Sequence, residues 1–192
     1  MAVLIAGLII FLGIHTLPMF QQFRLNLTKT IGTGRYKGLF SLCAAVGLAL
    51  IIYGYGLARS ETAGALYPLP DALRHLMMLL MLFALIFLFA AYLPGKIKAT
   101  LKHPMLIGVK TWALAHLLVN SNLEDLLLFG GFLVWAVLAV ISARRRERAN
   151  PPAESSTPSI VYDFAAIAVG LAVYVVFLLW GHEFLIGMPL IN

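Results

Sequence analysis

Six strongly apolar segments alternate with short polar connections along this chain. Each is close to the roughly 20 residues that carry a helix across the hydrocarbon core of a bilayer. The alternating polarity of membrane β-strands is absent, and helices let the backbone satisfy its own hydrogen bonds in lipid. The pattern therefore predicts an all-α integral membrane bundle, one domain over 1–192, with six transmembrane helices at 2–22, 38–57, 74–93, 104–120, 125–143 and 162–182.

The first apolar segment carries a proline close to its end. Pro18 has no N–H for the carbonyl of Ile14, so it predicts a kink in a helix that continues toward Leu27. The segment has neither a basic start nor a clear small-residue cleavage site, so we expect a retained helix rather than a signal peptide. Further along, Asp71 is a predicted helix cap, and the Pro- and Ser-rich residues 150–159 are a predicted linker.

Lys and Arg residues are concentrated in alternate connections. The first, third and fifth connections hold 4, 3 and 4 of them, the second holds Arg59 and Arg74, and the fourth holds none. Connections rich in Lys and Arg remain in the cytoplasm. Because the alternation is consistent across all six segments, it predicts that both termini lie on the outer, periplasmic side.

Composition supports a membrane protein and excludes other classes. The chain is 61% hydrophobic and 11% charged, whereas a soluble domain has about a quarter charged residues. The basic connections that set topology account for the net charge of +6, so no nucleic-acid partner is predicted. The one cysteine, Cys43, excludes an internal disulfide and a cysteine-based metal cluster.

The fourth segment, 104–120, combines membrane length with ionisable residues. An imidazole at membrane depth is costly and indicates a functional site by default. His116 in this segment and His15 in the first both fall within predicted spans, although a structural histidine bonded to a nearby carbonyl is the alternative for each. The remaining histidines are expected at helix ends, as interfacial residues: His75, His103 and His182.

Helical geometry separates these candidates further. His103 and His116 are about 20 Å apart along one helix, so they cannot bind one metal together. Trp112 and His116, four residues apart, share a helix face, and the amide of Asn120 lies beyond them. This side of the helix suits a flat apolar ligand with polar edges, with core packing as the alternative for Trp112.

Two histidines on two helices can ligate one haem iron inside a bundle. We therefore predict haem as the cofactor, with His15 and His116 as the metal ligands and Trp112 and Asn120 beside them. Lys110 can bind a propionate or extend to the inner membrane surface as an anchor. The residues expected near the propionates on the cytoplasmic half are Arg24, Arg35, Lys37, Lys110 and, at the same edge, His103.

Three motifs make the chain resemble the NnrU family. They are Gly13-Ile14-His15, the run IGTGRYKGLFS from Ile31 to Ser41, and His103-Pro104 followed by WALAHLLVN from Trp112 to Asn120. The resemblance covers nearly the whole chain, and only Ser121 departs from a glycine that the family favours. It implies a bacterial inner-membrane protein associated with denitrification, linked to the production of active nitrite and nitric oxide reductases.

The family is also similar to plastid 15-cis-zeta-carotene isomerase, a membrane enzyme that uses haem b with two histidine ligands. Carried over to this sequence, the ligand in the first motif is His15 and the ligand in the Trp-containing motif is His116. The alternative cysteine ligand of the isomerase has no counterpart, since Ala113 occupies that neighbourhood. A redox-linked ligand switch of that type is therefore not expected.

The leading hypothesis is a haem-binding membrane protein whose partners are the bilayer and other membrane proteins of nitrogen-oxide respiration. The main alternative is a haem-dependent cis–trans isomerase of a polyene or another lipophilic substrate. A membrane methyltransferase is less favoured. His103-Pro104 and Gly108 resemble its cofactor-binding start, but such enzymes need charged partners after that helix, and the acids that follow directly, Glu124 and Asp125, lie on the outer side by the predicted topology. A scaffold without cofactor is the fourth hypothesis. Zinc sites and hydrolase motifs are not indicated.

Overall fold

The computed structural model describes residues 1–61, 66, 70, 72–150, 157–187 and 190. Within them the chain forms helices and turns and no strand, which confirms the predicted all-α class. Asp71 and residues 151–156 of the predicted linker lie outside the described residues. The helices are α1 (Ala2–Thr16), α2 (Gln21–Ile31), α3 (Thr33–Glu61), α4 (Leu73–Ala90), α5 (Lys96–Leu101), α6 (Pro104–Leu117), α7 (Leu123–Ala149), α8 (Ile160–Val176) and α9 (His182–Ile186).

The long helices occupy the predicted apolar segments, but several extend past them. α3 begins at Thr33 rather than at 38, and α7 continues through the arginine run to Ala149 rather than ending at 143. Arg and Lys are good helix formers, so polar sequence prolongs both helices beyond the membrane-length core. α8 continues as a π-helix over Phe177–Gly181 before α9 begins.

The kink expected at Pro18 is a complete break in the helix. α1 ends at Thr16, a 3₁₀ turn spans Leu17–Met19, and the separate helix α2 follows, so the chain does not continue as one helix over 2–22. Arg146 of α7 donates through Nη1 to the Pro18 carbonyl oxygen at 3.1 Å. The end of α7 therefore stabilises the broken end of α1.

Contacts between neighbouring helices link them in the order α3, α1, α7, α6, α4 and α8. The first four of these enclose an apolar core, and α6 fills the space between α7 and α4. The core residues are Leu4, Leu8, Ile51, Ala58, Ala113, Leu128 and Phe129.

Glycines allow α1 and α3 to pack backbone against backbone. A Cβ atom added to Gly7 would lie 2.7 Å from the backbone nitrogen of Ile51, and one added to Gly54 would overlap the backbone of Leu4. Small residues permit such close approach between membrane helices. Because the contacts run in opposite order along the two helices, α1 and α3 are antiparallel.

We expect Gly54→Ala to destabilise the protein, whereas Gly56→Ala, on the same helix, does not. The added methyl at Gly54 would meet the α1 backbone, which cannot move like a flexible side chain, and overpacking of this kind costs about 1–3 kcal/mol. Nothing lies within 4 Å of a Cβ at Gly56, so Ala there gains about 0.5–1 kcal/mol of helix propensity. Thermal unfolding in mild detergent measures both; equal midpoints would contradict the proposed close packing.

Five described helical segments are long and apolar enough to cross a membrane, which indicates a multi-pass membrane protein. α6 is not among them, because its 14 residues extend only about 21 Å, less than the roughly 30 Å of hydrocarbon. The sixth span and the orientation of the termini stay predictions. The five segments are Ala2–Met19, Thr33–Glu61, Leu73–Ala90, Leu123–Ala149 and Ile160–Leu185.

Candidate functional site

His15 lies in the last turn of α1, in an aromatic environment built by three helices. Its Nδ1 is 2.7 Å from the carbonyl oxygen of Phe11, one turn earlier. Its ring centroid is 4.2 Å from that of Phe11, 5.1 Å from that of Phe40 on α3, and 6.1 Å from that of Trp135 on α7. The half-buried imidazole is therefore held by its own helix and surrounded by apolar rings.

His116 occupies the equivalent place in the last turn of α6. Its Nδ1 is 3.0 Å from the carbonyl oxygen of Trp112, and its ring stacks on Phe129 of α7 with centroids 4.5 Å apart. The Trp112 ring is 5.3 Å away. Asn120 donates through Nδ2 to the His116 carbonyl at 2.9 Å, so this amide closes the end of α6 and fixes the backbone of the histidine.

The same hydrogen bond defines the chemistry of both imidazoles. A carbonyl oxygen can only accept, so Nδ1 carries the proton in His15 and in His116. That tautomer leaves the lone pair on Nε2, which is how histidines bound to metals are usually oriented. In its neutral form, each histidine would therefore have Nε2 free to accept a hydrogen bond or to bind a metal.

The described contacts do not bring the two histidines against each other. The rings of Phe11 and Phe132 are 5.6 Å apart and those of Phe132 and Trp112 are 5.3 Å apart, so these three rings form a series of contacts that links His15 to His116. On α7, the ring neighbours of the two histidines are six residues apart, about 9 Å along the helix. To hold one iron together, both Nε2 atoms would have to lie about 2 Å from it, and no described contact between the two histidines provides this.

A cleft lined in part by Phe40 lies beside the broken end of α1. It has a volume of about 340 Å³ and is the place where the structure gathers two of the four predicted cations. Arg35 is exposed in the first turn of α3 and Lys110 is half-buried on α6, and neither lines the cleft. The lining residues are Pro18, Arg24, Tyr36, Lys37, Phe40 and Ser41.

The remaining residues of the predicted inner edge have structural contacts. His103 precedes α6, and its Nε2 is 3.7 Å from Glu147, whose carboxylate also pairs with Lys102 at 3.4 Å. These contacts join the start of α6 to the end of α7. Gly108 allows α6 to pack on α4, since an added Cβ would lie 2.9 Å from the carbonyl oxygen of Ala84. Two residues of the methyltransferase-like signature, His103 and Gly108, thus make contacts between helices here.

Sequence reasoning did not identify a buried polar cluster at the start of α7. Asp125 is 2% exposed and accepts the hydroxyl hydrogen of Tyr55, 70 residues earlier on α3, at 2.6 Å. It also accepts the backbone N–H of Asn122 at 3.1 Å, completing a capping box. Glu124 is 0% exposed, and neither of its oxygens has a hydrogen-bond partner in the described part of the chain. The available signal in the sequence was the pair of adjacent acids between the fourth and fifth apolar segments. That pair predicts a short polar turn, and it does not predict burial.

Glu124→Met is expected to stabilise the fold. A buried polar group without a partner costs about 1–3 kcal/mol, and methionine fills a similar volume without that cost. The thermal midpoint should rise by roughly 2–4 °C for each kcal/mol, while the exposed Glu183→Met control changes it little. A lower midpoint in Glu124→Met would mean that this carboxyl has a stabilising partner.

The described residues contain no group of three or more His, Cys, Asp or Glu side chains placed to hold a metal ion. The sequence matches the family described as NnrU protein over residues 3–190. The chain belongs to the NnrU family. No curated protein and no solved structure matches it. The resemblance carried by the three NnrU motifs is therefore confirmed over nearly the whole chain.

The NnrU motifs now have a structural meaning. The second motif forms the turn from α2 into α3, where Gly32 has a φ of +85° that favours glycine, and it supplies Lys37 and Ser41 to the cleft. The third motif includes α6, where His116 stacks on Phe129 of α7 and Trp112 meets the same ring edge-to-face. In this chain the three motifs thus contain the two histidines and part of the cleft lining.

Proposed function

We propose that this NnrU-family protein is a haem-binding protein of the bacterial inner membrane, associated with nitrogen-oxide metabolism, and that His15 and His116 are its iron ligands. The observation that carries the proposal is the shared state of the two imidazoles. Each is half-buried among aromatic rings, and each has Nδ1 bound to a main-chain carbonyl, which frees Nε2 for a metal. Haem b, when bound, would supply redox chemistry, and it would offer a coordination position to small molecules such as nitrogen oxides only where one of the two histidines is displaced.

The proposal includes a change in the aromatic rings. For His15 and His116 to hold one iron, the contacts among Phe11, Phe132 and Trp112 that link them have to rearrange. These rings are apolar and flat, so they can form the walls of a haem pocket once they have moved. His15 is the ligand closer to the cleft and its two cations.

The proposed topology places the cleft on the cytoplasmic side. The basic first, third and fifth connections support this orientation, with both termini in the periplasm and α6 as a sixth, short span. α6 is flanked by α4 and α7, so neighbouring helices shield part of its surface from lipid. A cysteine accessibility assay at exposed positions tests it: Lys98→Cys should react only from the cytoplasm.

Addition of haem to the purified protein tests the proposed function. The protein in mild detergent should take up one haem and give the absorption of a low-spin, histidine-ligated iron. A protein that remains colourless and does not take up added haem would reject the proposal. Because the experiment uses the purified protein alone, its result does not depend on other membrane proteins.

The isomerase alternative is favoured by one observation, the apolar aromatic surroundings of both histidines. Such walls suit a polyene chain as well as the faces of a haem. Haem-loaded protein that converts a cis-polyene under reducing conditions would favour the enzyme. Haem-loaded protein without this conversion would favour a role in nitrogen-oxide respiration.

A further inference from the structure

The cleft beside the broken end of α1 is lined by residues from three consecutive parts of the chain: the turn at Pro18, α2 and α3. The break at Pro18 turns the chain into α2, which carries Arg24, and Gly32 then turns it back into α3. On α3, Lys37 and Ser41 are one helical turn apart, so both face the same opening. The cleft therefore gathers a guanidinium, an ammonium and a hydroxyl at one place.

The two charged side chains that line the cleft, Arg24 and Lys37, are both positive. Residues 1–60 contain no Asp or Glu, and the first acid in the chain is Glu61. Within the described residues, neither Arg24 nor Lys37 is within ion-pairing distance of a carboxylate. Two cations face one cleft without a protein counter-charge, and a bound anion would complement them.

The cleft is also joined to His15. Phe40 lines the cleft and also contacts the His15 ring, with ring centroids 5.1 Å apart. The buried Tyr36 supports Phe40, with ring centroids 6.2 Å apart. An amphiphile whose anionic end lies in the cleft would therefore have its apolar part beside the His15 imidazole.

We propose that Arg24 and Lys37, with Ser41, form the binding site for the two carboxylates of haem, and that Arg35 and Lys110 do not take part. This inference rests on the proposed function, because it assigns the charged edge of the same cofactor. The phosphate of a lipid headgroup is also an anion that these cations could bind. Comparison of zwitterionic with anionic lipid separates a lipid phosphate from the haem carboxylates. Arg24 is the stronger candidate for paired hydrogen bonds because its planar guanidinium matches a carboxylate.

The test compares haem with its dimethyl ester, in which both carboxylates are neutral. The wild-type protein in zwitterionic phosphatidylcholine nanodiscs should bind haem about tenfold more tightly than the ester, as expected for two partly exposed charged contacts. The double variant Arg24→Gln/Lys37→Gln should lose this preference and bind both compounds equally. Titration followed by visible absorption gives the four dissociation constants.

Two control variants make the assignment specific. Arg144→Gln/Arg145→Gln removes two exposed charges after the fifth apolar segment and should keep the preference for haem. Arg35→Gln, two residues from Lys37 but outside the cleft lining, should keep it as well. If Arg35→Gln loses the preference, or if the Arg24→Gln/Lys37→Gln variant keeps it, the assignment is wrong.

The remaining outcomes separate the inference from the proposed function. If wild type binds haem and the ester equally, haem binding stands and the carboxylate site is rejected. If the preference of wild type for haem disappears in nanodiscs of anionic phosphatidylglycerol, the cleft is a lipid headgroup site and the assignment is again rejected. If wild type binds neither compound, the haem function itself fails.

Discussion

His15→Ala and His116→Ala should each strip or destabilise the bound haem. Loss of a residue that only orients a metal ligand already lowers affinity about 10–100-fold, so loss of the ligand itself should exceed about 100-fold. In both imidazoles Nδ1 is hydrogen-bonded to a main-chain carbonyl, so each substitution removes an Nε2 atom that is already oriented for binding the iron. Haem content per protein and the absorption spectrum measure the effect.

His75→Ala is the matched control for these variants. His75 is exposed at the start of α4, and we expect its substitution to leave haem content unchanged. His182→Ala is a second control, and we expect it to leave haem content unchanged as well. Retention of haem in both His15→Ala and His116→Ala would show that other residues hold the iron. Loss in only one of them would leave the iron with a single ligand from this pair.

Asp125→Ala should destabilise the bundle more than any other single substitution discussed above. It leaves the half-buried Tyr55 hydroxyl without its acceptor, at a cost of about 1–3 kcal/mol, and it removes half of the capping box of α7, at about 0.5–2 kcal/mol. Together these losses predict a decrease of roughly 3–20 °C in the thermal midpoint. The reason is structural: the carboxylate connects α3 to the start of α7.

Asp125→Asn provides the conservative comparison. Asp125 accepts the Tyr55 hydroxyl and the Asn122 amide on different oxygens. Asparagine has one side-chain oxygen and can keep only one of these bonds, so part of the stability should return. If Asp125→Ala unfolds at the wild-type temperature, the hydrogen bond between α3 and α7 contributes little. If Asp125→Asn is as unstable as Asp125→Ala, both carboxylate oxygens are required.

Apolar length was sufficient to predict the long helices, but not where each ends. Polar residues do not terminate a helix, so α7 runs on through its arginines to Ala149. Pro18 was recognised as a disruption, yet its effect depends on a contact that sequence does not give. The carbonyl of Pro18 is held by Arg146, 128 residues later, and a broken helix is stable there because of that partner.

The candidate site was only partly predictable for the same reason. The spacing of Trp112 and His116 is local, so the shared face follows from helix geometry. The cations Arg24, Arg35 and Lys37 belong to one connection, and only the turn at Gly32 and the path of α2 decide which of them face the cleft. The contact of Tyr55 with Asp125 joins distant helices, and no local pattern predicts it.

The most direct measurement for the account is the absorption spectrum and haem content of the protein purified in mild detergent from cells supplied with a haem precursor. The account predicts one haem per chain, with the Soret band of a low-spin iron ligated by two histidines. A protein that is purified folded and colourless, and that stays colourless after haem is added, would contradict it.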